Sequence, residues 1–541
     1  MKLLPCNSYR TGLVWFWVLL GLGLVQPQPC AAGTDEPQET WYVVLLGDQR
    51  AGHVHRQTSR EADRITTETS MRVRVGRGDA VIAITSDATF VETLAGEPVR
   101  AESSLGIGGM GGQPITTTLD FLGESLRITT RQGDRISQIQ RPAPTEAWLP
   151  PDAAMRDVQE QLTRGADRIT VRTIDPAMGH EPFTMTMTIR GKERIELFGR
   201  EAESVVWDAV SSNLPGVTMR EYVDASGQAL KSTVSLMPGM EMTVVAADRA
   251  LALSDLEPPE IMAATLLEPL PRSVPILEPR RTEHAEYIMT VPADFTLPET
   301  PAQAIRDMVA IDDGNLCRQV RITVQSRPRE ADVEQLLLHE PLIDRRFRVA
   351  RPSELAAYRE PSPLVDFNAE SVRSLLHSFK QDERISERLQ DAVLAERLRQ
   401  LVFETIEAKD LSVGFANATE TAATRRGDCT EHAVLLAALL RSCDIPSRGV
   451  AGLVYVDEFL GQRGVFGFHM WTQAYLDPDG HEGPAEAQWV DLDAALDPAR
   501  PFDATHIALV LDDLNAASPL NQLVALTPVM GRLEVRVIEA E

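Results

Sequence analysis

The residues best suited to chemistry are one cysteine, one histidine and two neighbouring aspartates in the C-terminal part of the chain. Cys429 opens a long apolar run, His469 lies in the segment GFHMWTQAYL, and Asp491 and Asp493 lie in WVDLD. A thiolate can attack an amide carbonyl while an imidazole protonates the leaving amine and a carboxylate orients the imidazole. These residue types therefore predict thiol-dependent acyl transfer through a thioester.

The segment that carries the cysteine predicts a turn followed by a buried helix. Gly427 suits a turn, and Asp428 is a good N-cap because its carboxylate can accept from free helical amides. Apolar residues recur at helical spacing as far as Leu440, and the helix must end at Ile445, which precedes a proline. The first turn of a helix favours an anion, so this position favours the thiolate form of Cys429.

Two strands are predicted after this helix. Residues 468–476 alternate between apolar and polar types, a turn follows at 477–480, and residues 488–492 form a second short run. If the two runs form a hairpin, either Asp491 or Asp493 can face His469. The backbone N–H of Cys429 is the natural first donor to the oxyanion.

Two further histidines admit two interpretations each. His432 lies one turn after Cys429 and either contacts the sulfur or, as we favour, is a packed and hydrogen-bonded residue. His506 either supports the site from behind or has a structural role.

The cysteines favour a single reactive thiol. Five are present, and Cys317, Cys429 and Cys443 lie beyond the N-terminal segment. Cys429 and Cys443 would be about 21 Å apart on one helix, too far for a disulfide. We therefore expect Cys429 to be reactive and the other two to be buried small residues.

The composition limits the class of protein. The 541 residues suffice for two to four domains, and 43% hydrophobic with 24% charged residues is a globular balance. The formal net charge of −26 argues against nucleic-acid binding, which requires a basic surface. We expect a protein or peptide substrate, no cofactor and no metal. The oligomeric state is left open.

The N-terminus has the pattern of a targeting segment. Lys2 and Arg10 precede an apolar core, GLVWFWVLLGLGLV, and the small residues Ala31 and Ala32 follow. This pattern predicts a signal peptide over residues 1–32 and an exported protein, either periplasmic or extracellular. The alternative is an uncleaved segment that anchors the chain in a membrane.

The remaining sequence predicts the domain order. Runs rich in β-branched residues, separated by glycine-containing turns, predict a β-rich domain over residues 40–256, with one short helix near Pro151–Leu162. A proline-rich linker is predicted at 257–281, a small β module at 282–345 and the cysteine-bearing domain at 346–541.

The C-terminal motifs resemble a known family. GDCTEHAVLLAALLRSCDIPSRGV, GFHMWTQAYL, WVDLDAAL and DATHI, taken in this order, resemble the bacterial transglutaminase-like superfamily, a relative of papain-type cysteine enzymes, over about residues 365–515. The resemblance implies an α+β papain-like domain with Cys429 as nucleophile, His469 as base and acid, and Asp493 as the orienting carboxylate. The front half, through WYVVLLGDQRAGHV and YVDASGQALKS, resembles a β-rich region found ahead of such domains in exported bacterial proteins, which implies an accessory or substrate-facing module.

The expected protein is thus multidomain, with a β-rich N-terminal region followed by a transglutaminase-like domain. The reaction is either amide hydrolysis or transfer of the acyl group to an amine, with hydrolysis slightly favoured. The alternative function is a catalytically inactive envelope binding or scaffold protein that reuses the fold.

Overall fold

The computed structural model describes residues 37–78, 80–108, 114–133, 135–176, 179–224, 228–237, 240–260, 262–310, 317–326, 353–382, 391–409, 416–477, 487–497, 502–515, 526 and 529–541. The predicted signal peptide lies outside these residues. The chain divides into two compact units, residues 1–77 with 81–261 and residues 78–80 with 262–541. Among the described helices, none is both long and apolar enough to cross a bilayer.

The first unit is built on one large sheet, which in the described part of the chain has fourteen strands. Its strands are β1 (Gln38–Leu46), β2 (Gln49–Glu61), β3 (Arg64–Arg77), β4 (Ala80–Thr93), β5 (Pro98–Gly108), β6 (Ile115–Leu122), β7 (Ser125–Gln132), β8 (Arg135–Pro142), β9 (Arg168–Thr173), β10 (Phe183–Leu197), β11 (Arg200–Ser211), β12 (Leu214–Val223), β13 (Ala229–Met237) and β14 (Met240–Ala247).

The order of these strands is that of two meanders. Strands β1 to β8 follow one another across the sheet, as do β9 to β14, and the antiparallel pairing of β1 with β14 joins the two series. Alternation produces a buried face that includes Tyr42, Val44, Met71 and Met219. The described residues of this unit also form two helices, α1 (Pro151–Thr163) and α2 (Arg249–Ala252). The prediction of a large β-rich N-terminal region is confirmed.

The second unit contains two four-stranded sheets among its described residues. The first has the order β16-β17-β15-β22, with β15 (His284–Pro292), β16 (Gln303–Ala310), β17 (Cys317–Gln325) and β22 (Glu534–Ala540). The second has the order β20-β19-β18-β21, with β18 (Ser447–Phe459), β19 (Gln462–Leu476), β20 (Gln488–Leu492) and β21 (His506–Asp512). The helices are α3 (Glu370–Asp382), α4 (Asp391–Thr405), α5 (Ala418–Thr424) and α6 (Cys429–Ser442), with short 3₁₀ turns at Ala263–Thr265, Pro279–Arg281 and Ser353–Tyr358.

Two apolar cores pack against the sheet of β18 to β21. One core joins helices α3 to α6 to the side chains of Met470, Ala474 and Val490. The other joins strands β18, β19 and β21 to the four-stranded sheet of β15, β16, β17 and β22. The C-terminal region is therefore an α+β structure, as expected.

The proline-rich stretch predicted as a linker makes ordered contacts in the second unit. Leu267 pairs with Phe466 on β19, and the backbone N–H groups of Leu270 and Val274 donate to carbonyls of β22. The domain boundaries themselves stay predictions.

Candidate active site

Cys429 is the first residue of the helix α6, as the sequence predicts. Asp428 is the N-cap, and its carboxylate accepts from the N–H of Thr430 at 3.0 Å. The buried Glu431 completes a capping box by accepting from the N–H of Asp428 at 2.9 Å. Because the rest of α6 is almost entirely buried, the sulfur is held on a fixed element.

The turn before the helix requires glycine. Gly427 has φ +153°, and a Cβ there would lie 2.2 Å from Cβ of Glu431. Its N–H donates to the carbonyl of Ala408 at 3.1 Å, which ties the turn to the segment that follows α4. The start of α6 is therefore held both by its capping box and by the hydrogen bond between Gly427 and Ala408.

The predicted hairpin brings a histidine and an aspartate together. Strands β19 and β20 pair antiparallel with Gln473 opposite Asp491. Asp493 follows the end of β20, and its Oδ2 lies 2.7 Å from Nε2 of His469. Oδ1 of Asp493 accepts from the N–H of Ala495 at 2.8 Å.

The other candidate carboxylate, Asp491, has different partners. Its Oδ1 accepts from Nε1 of Trp471 at 2.8 Å and from Nε2 of Gln473 at 2.7 Å. Asp491 also lines an open cleft together with Trp489, Phe502 and other residues. The structure thus places Asp493, not Asp491, beside His469.

The charges at the site favour a protonated His469. Burial by itself would lower the pKa of His469, but the negative charge and hydrogen bond of Asp493 and a hydrogen bond with Cys429 outweigh burial and raise it to about 9. Burial opposes ionisation of Asp493 as well, yet the charge of His469 and hydrogen bonds from His469 and His506 hold its pKa well below the usual range. Imidazolium and carboxylate stabilise each other.

An arginine from α4 fixes the segment of Asp493. Nη1 of Arg399 donates to the backbone carbonyl of Asp493 at 3.0 Å. Arg399 is buried and paired with Glu396, one turn earlier on the same helix. Sequence reasoning missed this pair, although two opposite charges three residues apart in an apolar helix were a signal that both are buried.

His432 is hydrogen-bonded through both ring nitrogens. Nδ1 lies 2.5 Å from the carbonyl oxygen of Asp428, so Nδ1 carries the proton, and Nε2 accepts from Nζ of Lys409 at 3.2 Å. Burial lowers the pKa of His432 to about 4. Neither ring nitrogen is free for the sulfur, which agrees with the favoured interpretation of a packed residue.

Lys409 is the hydrogen-bond partner of His432, a role that no pattern in the sequence indicates. Its ammonium group also donates to the carbonyl of Phe403 and lies 3.8 Å from the centroid of the Phe403 ring. Burial lowers the pKa of Lys409.

The interpretation of His506 as a residue that supports the site from behind agrees with its position. Nε2 of His506 lies 3.3 Å from Oδ2 of Asp493, the same oxygen that meets His469. Ligand atoms of His469, Asp493 and His506 lie within 4.8 Å of one another, a spacing that could hold a metal ion. Because both imidazoles point at one oxygen at hydrogen-bonding distance, we assign the three as a hydrogen-bonded network.

The remaining cysteines lie elsewhere. Cys317 is on β17 and Cys443 is the C-cap of α6, at the opposite end from Cys429. Neither forms a disulfide, and both are half-buried, whereas we expected burial. Cys443 is only half-buried because it lies at the end of the helix, where the chain turns.

A family comparison agrees with the resemblance in the C-terminal region. Residues 382–494 match the family model of the transglutaminase-like superfamily. The match includes Cys429, His469 and Asp493 and falls within the 365–515 segment. This part of the chain is a transglutaminase-like domain. A comparison with curated proteins found no match.

Three solved structures are similar to the chain. A beta-barrel-like protein of a domain of unknown function from Brucella abortus has 9% identity and a TM-score of 0.31, over 40% of this chain and 98% of that chain. A "putative cysteine protease" from Cytophaga hutchinsonii has 13% identity and a TM-score of 0.26, over 48% and 87%. A "putative protease" from Parabacteroides distasonis has 12% identity and a TM-score of 0.17, over 72% and 63%. All three TM-scores lie below 0.5, and none of these similarities assigns an activity to this chain.

Proposed function

We propose that this protein is a thiol-dependent enzyme that transfers acyl groups from protein or peptide amides. Cys429 is the nucleophile, His469 the base and acid, and Asp493 the orienting carboxylate. The observation that carries the proposal is the short contact of 2.7 Å between Nε2 of His469 and Oδ2 of Asp493. Cys429 interacts with the same imidazole and helps to raise its pKa. The transglutaminase-like match over residues 382–494 supports a thiol-dependent activity in general.

The geometry supports different roles for the two ring nitrogens of His469. Nε2 donates to Asp493, so Nδ1 remains for exchange of a proton with the sulfur. The thiolate attacks the carbonyl carbon, and the electron pair of the C=O bond moves to oxygen. When this intermediate collapses, the C–N bond breaks, the imidazolium gives its proton to the leaving nitrogen, and a thioester remains on Cys429.

The second half of the reaction depends on the acceptor. His469 removes a proton from water or from a primary amine, the acceptor attacks the thioester carbon, and the Cys429 thiolate leaves. Water yields a carboxylic acid, and an amine yields a new amide. We favour hydrolysis, because excluding water from a site is the more demanding task. We further propose an exported location, with the β-rich region as an accessory or substrate-facing module.

Two assays on the full chain test the proposal and distinguish the acceptors. Casein is incubated with a biotinylated primary amine, and both amine incorporation and newly formed peptide termini are measured. Cys429→Ala should abolish either signal, whereas Cys443→Ala, at the far end of the same helix, should retain it. Incorporation identifies an acyltransferase, and cleavage without incorporation identifies a peptidase.

The alternative of an inactive binding or scaffold protein predicts a different result. Cys429 would then react with iodoacetamide no faster than Cys443 and Cys317, and His469→Ala would leave its rate unchanged. That outcome contradicts the proposed function.

A further inference from the structure

We propose that His506 is a positioning residue that is charged at neutral pH, holds the Asp493 carboxylate, and through its positive charge sets the pH range in which Cys429 and His469 react. This inference rests on the proposed function and adds a fourth group to the three named above. The evidence for this inference is the set of hydrogen bonds that His506 makes.

Both ring nitrogens of His506 face groups that can only accept hydrogen bonds. Nε2 lies 3.3 Å from Oδ2 of Asp493. Nδ1 lies 3.1 Å from the backbone carbonyl of Asp503 and 3.2 Å from its Oδ1. A neutral imidazole has only one N–H, so it would leave one nitrogen lone pair against a carboxylate. The arrangement therefore requires the imidazolium.

The carboxylate of Asp503 is itself held in place by hydrogen bonds. Nη1 of Arg280 lies 2.8 Å from Oδ2 of Asp503, and the N–H of Thr505 donates to Oδ1 at 2.9 Å. The side chains of His506 and Asp503 are almost completely inaccessible, at 0% and 1% exposed. Water therefore cannot replace these partners or screen the charges.

The electrostatic balance agrees with this protonation state. Burial by itself would lower the pKa of His506, but the charge of Asp503 and the hydrogen bonds that His506 donates to Asp493 and Asp503 raise it to about 9. The pKa of Asp503 is held below its usual value, against the effect of burial, chiefly by the charge of His506. A buried ion paired on both sides is the state that costs least here.

The other groups around His506 are either neutral or act on it weakly. Phe502 and Trp471 pack on its ring at centroid distances of 4.2 Å and 5.2 Å. Asp491 interacts with it through charge alone, and burial raises the pKa of that carboxyl. Burial raises the pKa of Tyr287, whose hydroxyl donates to the carbonyl of Ala504, so Tyr287 is uncharged.

The charge of His506 acts directly on the reacting pair. Its ring centroid lies 5.7 Å from that of His469, and both rings donate to one oxygen of Asp493. A nearby positive charge makes it easier for Cys429 to lose its proton and for the His469 imidazolium to lose its own. The alkylation rate of Cys429 follows its thiolate fraction and has two limbs, one for ionisation of the thiol and one for loss of the His469 proton. Both limbs therefore lie at lower pH than they would without His506.

The experiment measures iodoacetamide alkylation of Cys429 as a function of pH, with each cysteine followed by mass spectrometry. The full chain is compared with His506→Gln, which can still donate to Asp493 but has no charge, and with His506→Lys, which keeps a charge. We expect both limbs to move to higher pH by about one unit in His506→Gln. His506→Lys should return them toward the parent positions.

A purely structural role predicts another pattern. The maximum rate would then fall in His506→Gln while both limbs stay where they are in the parent, and this result overturns the inference. If instead Cys429 in the parent is no more reactive than Cys443, the proposed function fails.

A second measurement does not depend on the variants or on Cys429. In the parent chain labelled with ¹⁵N-histidine, the ring nitrogens of His506 should both be protonated at pH 7. A single protonated ring nitrogen would show a neutral imidazole and would overturn the inference even if Cys429 is reactive.

Discussion

Asp493 and His469 are joined by a contact of 2.7 Å between Oδ2 and Nε2, although they are separated by 24 residues, with His469 on β19 and Asp493 just after the end of β20. Asp491, two residues before Asp493, bonds Trp471 and Gln473 instead. Asp491 lies on β20 opposite Gln473, whereas Asp493 lies just past the end of this strand. The two similar carboxylates therefore have different partners, and this difference can be tested.

Exchange of each aspartate for asparagine should separate their roles. In Asp493→Asn the carboxylate that holds the His469 imidazolium is lost, so we expect the Cys429-dependent rate to fall by about 10³- to 10⁴-fold. Asp491→Asn should have a far smaller effect, because Asp491 bonds the indole and amide groups beside it. The measurement is the initial rate of casein turnover, and equal losses in both variants would contradict the assignment.

The turn before helix α6 should tolerate no side chain at Gly427. Gly427→Ala places a Cβ 2.2 Å from Cβ of Glu431 at a φ of +153°, so both the steric clash and backbone strain destabilise the chain. We expect a loss of about 2 kcal/mol or more in the free energy of unfolding, measured by urea denaturation.

Gly461→Ala is the matched control for this change. Gly461 has φ +78° with nothing within 4 Å of an added Cβ, so only backbone strain applies, about 1 kcal/mol. A loss in Gly427→Ala no larger than in Gly461→Ala would show that the contact with Glu431 does not matter.

Replacing His432 should destabilise the helix start without changing the pH profile of Cys429. His432→Phe removes the acceptor for Lys409 and the donor to the Asp428 carbonyl, at a cost of about 1–3 kcal/mol in unfolding free energy. Since its pKa is about 4, His432 is neutral throughout the range in which Cys429 is alkylated.

The control for this prediction is His377→Phe on α3, where the imidazole is exposed and bonded only to Gln381 among the described residues. His377→Phe should be nearly neutral for stability. A displaced alkylation profile in His432→Phe would mean that His432 takes part in proton exchange with the sulfur.

A buried glutamate in the first unit should make stability depend on pH. Glu221 on β12 is fully buried between Trp207 and Ser232 of the adjacent strands, and neither of its carboxyl oxygens has a hydrogen-bond partner among the described residues. Burial raises the pKa of Glu221 from 4.5 to about 7. The folded state therefore binds this proton more tightly than the unfolded chain does.

The stabilisation from that proton is complete below about pH 4.5 and is lost as the pH rises through about 7. Glu221→Gln, which cannot ionise, should therefore gain up to about 3 kcal/mol of stability relative to the parent at pH 8, and less at pH 4.5. Urea denaturation at the two pH values measures the difference. The exposed Glu203→Gln on β11 is the control, and an equal difference in that variant would refute the prediction.

Much of the local structure could be predicted from the sequence. The alternating run 64–75 became β3 (Arg64–Arg77), the helix predicted near Pro151–Leu162 became α1 (Pro151–Thr163), and the cysteine helix begins at Cys429. These elements depend on short-range periodicity and on capping residues, both of which are visible in the chain itself. The pairing of β1 with β14 and of β15 with β22 was not visible, because it joins segments that are far apart in sequence.

The same division applies to the candidate site. The sequence by itself determined which residue types were present, that Cys429 would start a helix, and that His469 and the two aspartates would lie on neighbouring strands. Only the tertiary structure decided that Asp493 meets His469, that Arg399 fixes its backbone, and that His506 bonds the same oxygen. The physical reason is that periodicity acts over a few residues, whereas the register of strands and the packing of distant segments bring individual atoms within hydrogen-bonding distance.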